Sequence, residues 1–308
     1  MVRKSIIIGS RGSKLALYQT ELVVQELKRI YPDVDLHIRK ISTMGDRTDK
    51  TPIDKIGGQG IFIKELEKAL LAGEINMAVH SLKDIPTELG SEFALAAVGM
   101  RIDARDAFIS RSGRKLSELP ERSSVGTGSP RRAVQLKSFR RDIQVCPLRG
   151  NIDTRLNKLR SGEFDGIILA AAAMMRMGWE DRITEYLSTD YFLPAVGQGA
   201  LAVEIRASDR EMADMLASIN DEATWRSIMA ERAFLSALGG GCVVPIAALG
   251  TVSGNTLRLE GMVAGVRTNR ILRASSSGSS ADPESTGQSL AGKLLAEGAQ
   301  ELIAEIQL

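Results

Sequence analysis

The sequence predicts an α/β fold of two similar domains followed by a small α+β domain. Through roughly the first two thirds of the chain, short apolar strands alternate with amphipathic helices, which is typical of α/β folds. A helix end followed by Gly73 and Glu74 recurs as a helix end followed by Gly162 and Glu163, which indicates two copies of one unit. After residue 223 a helix precedes apolar strands. We therefore expect domains at residues 1–99 with 200–217, at 100–199 and at 218–308.

Composition excludes several classes of protein. The chain has 308 residues, 44% of them hydrophobic, which is enough for about two or three packed domains. Its net charge of +2 is too small for a general nucleic-acid binder, and its longest apolar run, residues 167–175, is far below the ~20 residues of a membrane helix. The N-terminal apolar run is too short for a signal peptide. Two cysteines form no disulfide framework, so we expect a cytoplasmic protein.

The first strand, turn and helix form a candidate anion site. We predict a strand over residues 5–8, a turn over 9–13 and an amphipathic helix over 14–30. Free N–H groups at a helix start attract anions, and Arg11 adds a positive charge. The alternative is an ordinary strand-to-helix turn capped by Ser13.

A polar, glycine-rich stretch at residues 43–60 follows a second predicted strand at 36–41. It is long for a connection in a compact domain, so it is either an active-site lid or a surface loop. We predict a helix over 62–71 and a strand over 75–79 that leads into His80-Ser81-Leu82-Lys83-Asp84. Ligands of α/β sheets gather where strands end, so Lys83 and Asp84 are candidate site residues, the alternative being a solvated ion pair.

The second copy of the repeat argues against that alternative. Where the first copy ends in Ser81, Lys83 and Asp84, the second has four alanines at residues 170–173, so the scaffold does not require charges there. The turn at residues 9–13 has its counterpart at 126–132, where Pro130 takes the favoured first helical position. We expect the two domains to face each other with a site between them.

Arginines are frequent in the second domain, at turns or early helical positions: Arg131, Arg132, Arg149, Arg155 and Arg176. Guanidinium groups bind carboxylates in bidentate pairs, so a polyanionic ligand is favoured over a solvated basic face. Residues 193–200 combine proline with two glycines, as in a hinge that returns the chain to the first domain.

The third domain presents Cys242 after a helix that ends in Gly239, Gly240 and Gly241. Such a loop gives a thiolate room to react, although a free cysteine is more commonly a small buried hydrophobe. We predict strands at 244–249, 257–263 and 270–274, a serine-rich turn, and a last helix over about 287–306. His37 and His80 form no zinc spacing with the cysteines, so no metal site is expected.

Several motifs in order carry a resemblance to one family. They are Gly9-Ser10-Arg11, His80-Ser81-Leu82-Lys83-Asp84, Gly126-Thr127-Gly128-Ser129-Pro130-Arg131-Arg132, Leu148-Arg149-Gly150-Asn151 through Arg155, and Glu231-Arg232 leading through Phe234 and Leu238 to Gly240-Gly241-Cys242 and Val244-Pro245. Over essentially the whole chain, the sequence resembles the porphobilinogen deaminases, also called hydroxymethylbilane synthases.

The resemblance implies a fold and an activity. It implies two domains like those of periplasmic anion-binding proteins, joined by a hinge, and a third domain in which Cys242 holds a dipyrromethane cofactor by a thioether. Four porphobilinogen molecules would be added to this primer, each losing ammonia, and water would release the tetrapyrrole hydroxymethylbilane. A cytoplasmic monomer acting on a small molecule, without nucleic acid or membrane, is implied as well.

The resemblance also implies residue roles. Asp84 is the carboxylate expected to stabilise the azafulvene-like cation left by ammonia loss and to move protons at the pyrrole nitrogens. Phe62 is placed against the cofactor rings. The expected cofactor-binding residues are Cys242, Lys83, Ser81, Thr127, Ser129, Arg131 and Arg132. The expected substrate-binding residues are Arg11, Ser13, Arg149, Arg155, Arg176 and Gln198.

Two alternatives stay open at this stage. A non-catalytic anion-binding module would also have two hinged α/β lobes, and it predicts reversible binding without a covalent adduct. A cysteine-dependent acyl hydrolase would use Cys242 with His80, and it requires the two side chains within hydrogen-bond reach.

Overall fold

The structure is a computed structural model that describes residues 4–43, 63–239 and 244–305. The chain divides into two compact units, one formed by Met1–Ile102 with Ala200–Trp225 and the other by Asp103–Gly199 with Arg226–Leu308. The second unit contains most of the second and the third predicted domains, whereas residues 100–102 and 218–225 fall in the first unit. The three domain boundaries given above stay a prediction.

The described residues form the following strands and α-helices. In chain order they are β1 (Ser5–Arg11), α1 (Lys14–Ile30), β2 (Asp35–Ile41), α2 (Lys64–Leu71), β3 (Met77–Ser81), β4 (Phe93–Val98), β5 (Asp106–Ser110), β6 (Ser124–Thr127), α3 (Pro130–Phe139), β7 (Gln144–Pro147), α4 (Ile152–Arg160), β8 (Gly166–Ala170), α5 (Ala171–Arg176), β9 (Glu185–Tyr186), β10 (Leu201–Arg206), α6 (Arg210–Leu216), α7 (Glu222–Ala237), β11 (Ile246–Ser253), β12 (Thr256–Ala264), β13 (Ile271–Ser279), α8 (Pro283–Ala296) and α9 (Ala299–Ala304).

The first unit is built on a five-stranded mixed sheet in the order β2-β1-β3-β10-β4. Strand β1 runs parallel to β2 and β3, whereas β10 runs antiparallel to β3 and β4. Ile6 and Ile8 of β1 pack with Val23 and Leu27 of α1 in a fully apolar core. The helix start at Lys14 and end at Ile30 confirm the prediction from the apolar periodicity.

Two strands of this sheet extend further than the sequence predicts. Strand β1 continues to Arg11 because Gly9, Ser10 and Arg11 pair in register with β2, so these residues lie in the sheet and not in the turn. Strand β3 spans Met77–Ser81, which moves His80 into the sheet. The polar tail therefore begins later, as a 3₁₀ turn over Leu82–Asp84.

The second unit repeats this arrangement in a sheet of order β7-β6-β8-β5-β9. Strand β6 runs parallel to β7 and β8, and β5 runs antiparallel to β8 and β9. The repeated sheet confirms the α/β class and the two similar sheets predicted from the sequence. The segment at 193–200, predicted as a hinge, is mostly buried and contains Gly197 and Gly199 at positive φ, a backbone region that favours glycine.

The same unit carries a small antiparallel sheet, β11-β12-β13, covered by α7, α8 and α9. The predicted serine-rich turn is wrong, because residues 275–279 continue β13 through backbone pairing with β12. The single last helix is also wrong. Gly298, at φ 95°, separates α8 from α9, since a left-handed residue cannot continue a helix.

Within the described ranges, no helix is long and apolar enough to cross a membrane.

Candidate active site

In the first unit, the end of β3 holds the Ser81 to Asp84 motif in place. The Ser81 hydroxyl lies 3.0 Å from Nε2 and 3.1 Å from Oε1 of Gln19 on α1, and the Leu82 N–H donates to the Ala200 carbonyl at 3.1 Å. Lys83 and Asp84 are half-buried in the following turn, not solvated as a surface ion pair would be. Among the described residues, the Asp84 carboxylate has no hydrogen-bond or ion-pair partner, so it is available to a ligand.

Ser13, in the turn before α1, caps the start of that helix with its side chain. The Ser13 hydroxyl accepts from the Ala16 N–H at 3.3 Å, which satisfies one of the donors that an anion would use. Arg11, at the end of β1, is half-exposed. The local geometry is thus that of a capped strand-to-helix turn, with a cation beside it.

In the second unit, the two arginines at the start of α3 are buried and share one carboxylate. Arg131 Nη1 donates to Asp106 Oδ2 at 2.8 Å and to the Leu193 carbonyl at 2.5 Å. Arg132 Nε and Nη2 donate to Asp106 Oδ1 at 3.0 and 2.8 Å, and its Nη1 donates to the Ile168 carbonyl at 3.0 Å. Neither arginine belongs to a solvated basic face.

Asp106 is held as an anion by these neighbours. Burial alone would raise the pKa of Asp106, but the positive charges of Arg131 and Arg132 and their hydrogen bonds outweigh it and keep the pKa well below its usual range. Two guanidinium groups and one carboxylate leave one excess positive charge. Among the described residues, Nε and Nη2 of Arg131 have no acceptor, so this arginine retains donors for a ligand.

Three further predicted residues belong to this cluster. Gln198 Nε2 donates to Asp106 Oδ1 at 2.9 Å, and its Oε1 accepts from Arg132 at 3.5 Å. Ser129 caps α3 by accepting from the Arg132 N–H, and the Thr127 hydroxyl accepts from the Ser129 N–H at 3.2 Å. The structure therefore brings Thr127, Ser129, Arg131, Arg132 and Gln198 together.

The contacts described for the other predicted arginines are with backbone carbonyls. Arg155 Nε donates to the Gly150 carbonyl at 2.7 Å, and Arg149 is half-buried in the same loop region. Arg176 ends α5 instead of beginning a helix, and it donates to the Gly199 carbonyl at 2.8 Å. Burial lowers the pKa of Arg176 to about 10, so it remains a cation at neutral pH.

Some predicted residues lie outside the described ranges. These are Cys242, Phe62 and nearly all of the polar segment at 43–60. Of the two residues that the hydrolase alternative requires, the structure describes His80, and the position of His80 disfavours that alternative. His80 is buried and its Nε2 lies 2.9 Å from Glu204 Oε2, so the imidazole is engaged inside the first unit.

Sequence reasoning missed Asp106 and Gln19. A single carboxylate directly before the apolar residues 107–109 was the available signal for Asp106, since a charge that opens a buried strand requires a partner. Gln19 carried no comparable signal, because a glutamine on an amphipathic helix is usually solvated.

Comparison with known proteins identifies the family. One family model, described as "Porphobilinogen deaminase, dipyromethane cofactor binding domain", matches residues 6–214, and a second, "Porphobilinogen deaminase, C-terminal domain", matches residues 225–296. The chain belongs to the porphobilinogen deaminase family. This confirms the predicted family, enzyme class and tetrapyrrole-forming function, and the first match shows that residues 6–214 form a dipyrromethane-binding domain.

Porphobilinogen deaminases of similar length occur in diverse bacteria. The protein of that name from Geobacillus kaustophilus (strain HTA426) is 47% identical over 305 residues, covering 99% of this chain and 98% of the relative. That from Alkaliphilus metalliredigens (strain QYMF) is 45% identical over 303 residues, covering 98% of this chain and 96% of the relative.

Solved structures show a weaker likeness. The methionine-binding protein MetQ is 11% identical with a TM-score of 0.42, covering 73% of this chain and 91% of that chain. No group of three metal-ligating side chains occurs in the part of the chain that the structure describes.

Proposed function

We propose that this porphobilinogen deaminase family member joins four porphobilinogen molecules, with loss of four ammonia molecules, and releases hydroxymethylbilane by hydrolysis. The full-length family match carries this proposal. The supporting geometry is a partnerless, half-buried carboxylate in the described part of one unit and a buried arginine cluster with one excess positive charge in the other.

The residues present suit a dipyrromethane, whose acetate and propionate groups need cationic partners. Arg131 retains free Nε and Nη2 donors in the described structure, and Ser129 and Thr127 supply hydroxyls beside it. Guanidinium groups bind carboxylates with fixed geometry, and partial burial strengthens the bond. When bound, the group supplies the pyrrole carbon to which substrate is joined. Arg131, Arg132, Ser129, Thr127, Lys83 and Ser81 would hold its side chains.

Asp84 is proposed as the catalytic carboxylate. Ammonia leaves porphobilinogen when the pyrrole nitrogen releases electron density, which places positive charge on the ring. A carboxylate without a competing partner stabilises that charge, and it can accept and return the pyrrole N–H proton. Half-burial strengthens this attraction relative to water while leaving the group reachable.

Substrate binding is assigned to Arg11, Ser13, Arg149, Arg155, Arg176 and Gln198. Arg149, Arg155 and Arg11 are half-exposed and therefore suited to substrate carboxylates. Arg176 and Gln198 are buried and also contact protein groups, the Gly199 carbonyl for Arg176 and the Asp106 carboxylate for Gln198.

Attachment of the cofactor through a thioether on Cys242 is part of the proposal, as are a cytoplasmic location, a monomeric state and the absence of nucleic-acid partners. Cys146, the described cysteine, lies half-buried on β7 with its thiol directed to the Gln144 carbonyl, so it is a less suitable attachment point.

Intact-protein mass spectrometry tests the proposal. Protein expressed in a host that makes porphobilinogen should carry an adduct of two pyrrole units, which peptide mapping assigns to Cys242. Cys242→Ser should lack the adduct and give no turnover, whereas the matched Cys146→Ser should keep both. An unmodified, inactive wild-type protein that binds porphobilinogen reversibly would support the binding-module alternative instead.

A further inference from the structure

A buried carboxylate in the second unit joins three parts of the chain. Glu231 on α7 is fully buried, and its Oε2 and Oε1 accept from the N–H groups of Gly197 and Gly250, each at 2.8 Å. Gly250 lies on β11 of the small sheet, and Gly197 lies in the stretch at residues 193–199, the 193–199 connection. One side chain therefore links a helix, a strand and this connection.

The 193–199 connection is not held by a sheet or a helix. Its residues belong to neither, and the bond from the Gln198 N–H to the Ala195 carbonyl at 2.9 Å lies within the connection itself. The ladders that align neighbouring strands therefore do not fix its position. Side chains that bond to it from outside must do so, because buried backbone groups require partners.

On one side, the connection completes the arginine cluster formed by Asp106, Arg131 and Arg132. The Leu193 carbonyl accepts from Arg131 Nη1 at 2.5 Å. Gln198 Nε2 donates to Asp106 Oδ1 at 2.9 Å, and its Oε1 accepts from Arg132 Nη2 at 3.5 Å. A shift of the connection therefore moves partners of all three cluster residues.

On another side, Glu231 holds the connection at the residue before Gln198. Gly197 has φ 74°, in the region that favours glycine, and its N–H donates to Glu231 Oε2. Val196 packs against the apolar core of the small sheet, but apolar contacts tolerate small shifts. A hydrogen bond is directional, so Glu231 fixes the Gly197 peptide more tightly than this packing does. The position of the adjacent Gln198 depends on that peptide.

Two oxygens on one side chain make this link possible. Strand β11 and helix α7 are in close contact, since a Cβ on Gly250 would lie 2.9 Å from the Ser227 carbonyl oxygen. Two separate hydroxyls would satisfy the N–H groups of Gly197 and Gly250 without joining them. A carboxylate accepts both bonds, and each bond is charge-assisted. The need to satisfy buried donors does not by itself explain why one carboxylate bridges them.

We propose that Glu231 is a positioning residue that acts through Gly197 and Gln198 to keep the arginine cluster in the geometry that binds the cofactor carboxylates. The inference rests on the proposed cofactor-binding role of Arg131 and Arg132. Guanidinium groups bind carboxylates in a fixed geometry, and a misplacement of about 1 Å costs up to ~100-fold in rate. Loss of the Glu231 bond therefore reduces turnover in protein that is folded and carries the cofactor.

The test changes the acceptors of Glu231 while keeping the size of the side chain. Glu231→Gln has one acceptor oxygen and sets its amino group against the other N–H. Gly250 is fixed in β11 by pairing with β12, so the connection is the part that can move away. The Gly197 bond is therefore the one expected to break. Glu231→Ala lacks both bonds.

Three measurements on cofactor-loaded protein follow the change. Intact mass gives the fraction that carries the two-pyrrole adduct, and kcat/KM for porphobilinogen is expressed per adduct-bearing molecule. Peptide-level hydrogen exchange reports the protection of residues 193–199. In Glu231→Gln, protection and kcat/KM should each fall about tenfold, and Glu231→Ala should lose at least as much. A purely structural role would lower the urea midpoint of unfolding and leave kcat/KM of the folded, loaded protein unchanged.

Glu305 supplies the matched control in the same unit. Its Oε2 also accepts from two backbone N–H groups, those of Arg267 at 2.7 Å and Thr268 at 3.2 Å, but these lie in the exposed loop between β12 and β13. Glu305→Gln should keep kcat/KM within about twofold of wild type. A loss equal to that of Glu231→Gln would reveal a general effect of the small sheet and overturn the inference.

A double-mutant cycle tests the route through Gln198. In the Gln198→Ala background, Glu231→Gln should lower kcat/KM by less than about twofold, because the side chain through which Glu231 acts is gone. Additive losses overturn the inference, as does wild-type kcat/KM in either folded Glu231 variant. A wild type that carries no adduct and consumes no porphobilinogen overturns the proposed function instead, whereas the exchange measurement still shows whether Glu231 holds the connection.

Discussion

Asp84 is the residue on which turnover should depend most. Its carboxylate has no partner among the described residues, so Asp84→Asn removes a charge without breaking a contact seen in the structure. We expect the folded, cofactor-bearing variant to lose nearly all turnover, at least about 100-fold, because the amide neither stabilises a cation nor takes up a proton. Ammonia release from porphobilinogen measures this.

Glu88 supplies the matched control for that experiment. It is exposed on the same connection, so Glu88→Gln removes one negative charge nearby without touching the strand end. Its turnover should stay close to that of wild type. Near-normal activity of Asp84→Asn would contradict the catalytic assignment.

Asp106 should matter for stability more than any other carboxylate described in the second sheet. Asp106→Asn leaves two buried guanidinium groups with a neutral partner, and loss of one member of a buried ionic cluster costs about 3–5 kcal/mol. Urea unfolding measures the loss. The matched control is Asp142→Asn, which breaks the pair with Arg140, whose side chains are 18% and 34% exposed for Arg140 and Asp142, and should cost much less than the fully buried cluster. Equal losses would show that Asp106 does not hold the cluster.

Among individual residues, the sequence predicted the candidate site residues better than the buried contacts that hold such residues in place. Lys83 and Asp84 could be selected because the second copy of the repeat has alanines there. The burial of Arg131 and Arg132 could not be predicted, because their shared partner Asp106 lies 25 and 26 residues away in sequence. A role for Cys242 remains a prediction.

Helices α7 and α8 approach each other closely at one glycine. A Cβ on Gly287 would lie 2.3 Å from the Ala230 carbonyl oxygen and 2.8 Å from Ala233 Cβ. Gly287→Ala should therefore push the helices apart and destabilise the protein by about 1–3 kcal/mol, because rigid backbone cannot yield as a side chain can. Thermal or urea unfolding measures the change.

Gly292 is the control on the same helix. It is exposed, and a Cβ there would meet nothing within 4 Å, so Gly292→Ala should stabilise the protein by about 0.5–1 kcal/mol through helix propensity. If the free energy of unfolding changed in the same direction in both variants, the close approach of the two helices would be contradicted.

Element boundaries depended on contacts that local patterns do not contain. Both ends of helix α1 were predicted closely because its apolar face repeats regularly. Strand β13 was missed beyond residue 274 because serine has no strong strand preference, and its strand conformation is fixed by pairing with β12. The break at Gly298 was missed because one glycine within a helical pattern is often tolerated.

Acid should weaken the two compact units unequally. In the second unit, hydrogen bonds from Arg105 outweigh the effect of burial and lower the pKa of Asp103. Backbone and side-chain hydrogen bonds from Ser124 lower the pKa of Asp165. The pKa of Asp106 is lowered by Arg131 and Arg132. Such carboxylates stabilise the fold fully above their unfolded pKa of about 3.9, and this contribution is lost as pH falls through the lower native pKa. In the described part of the first unit, the pKa of Glu67 is raised instead, so acidification removes a penalty there.

Hydrogen exchange can locate this difference. The protein is equilibrated at a series of pH values below about 4 and pulse-labelled at one common pH, so that intrinsic exchange rates do not vary. Protection should fall first in β6 and β8 of the second sheet and later in β1 and β3 of the first. Loss of protection in the reverse order would show that these carboxylates do not govern stability in acid.

The place of β10 in the first sheet has a consequence for biosynthesis. This strand lies between β3 and β4, yet it is encoded after every strand of the second sheet. A ribosome delivers residues from the N-terminus, so the second sheet has all its strands before the first sheet receives β10. The order in which the two sheets can close is therefore the reverse of the order in which they are begun. Until residues 201–206 emerge, the edges of β3 and β4 stay open, which is when the nascent chain is most exposed to mispairing.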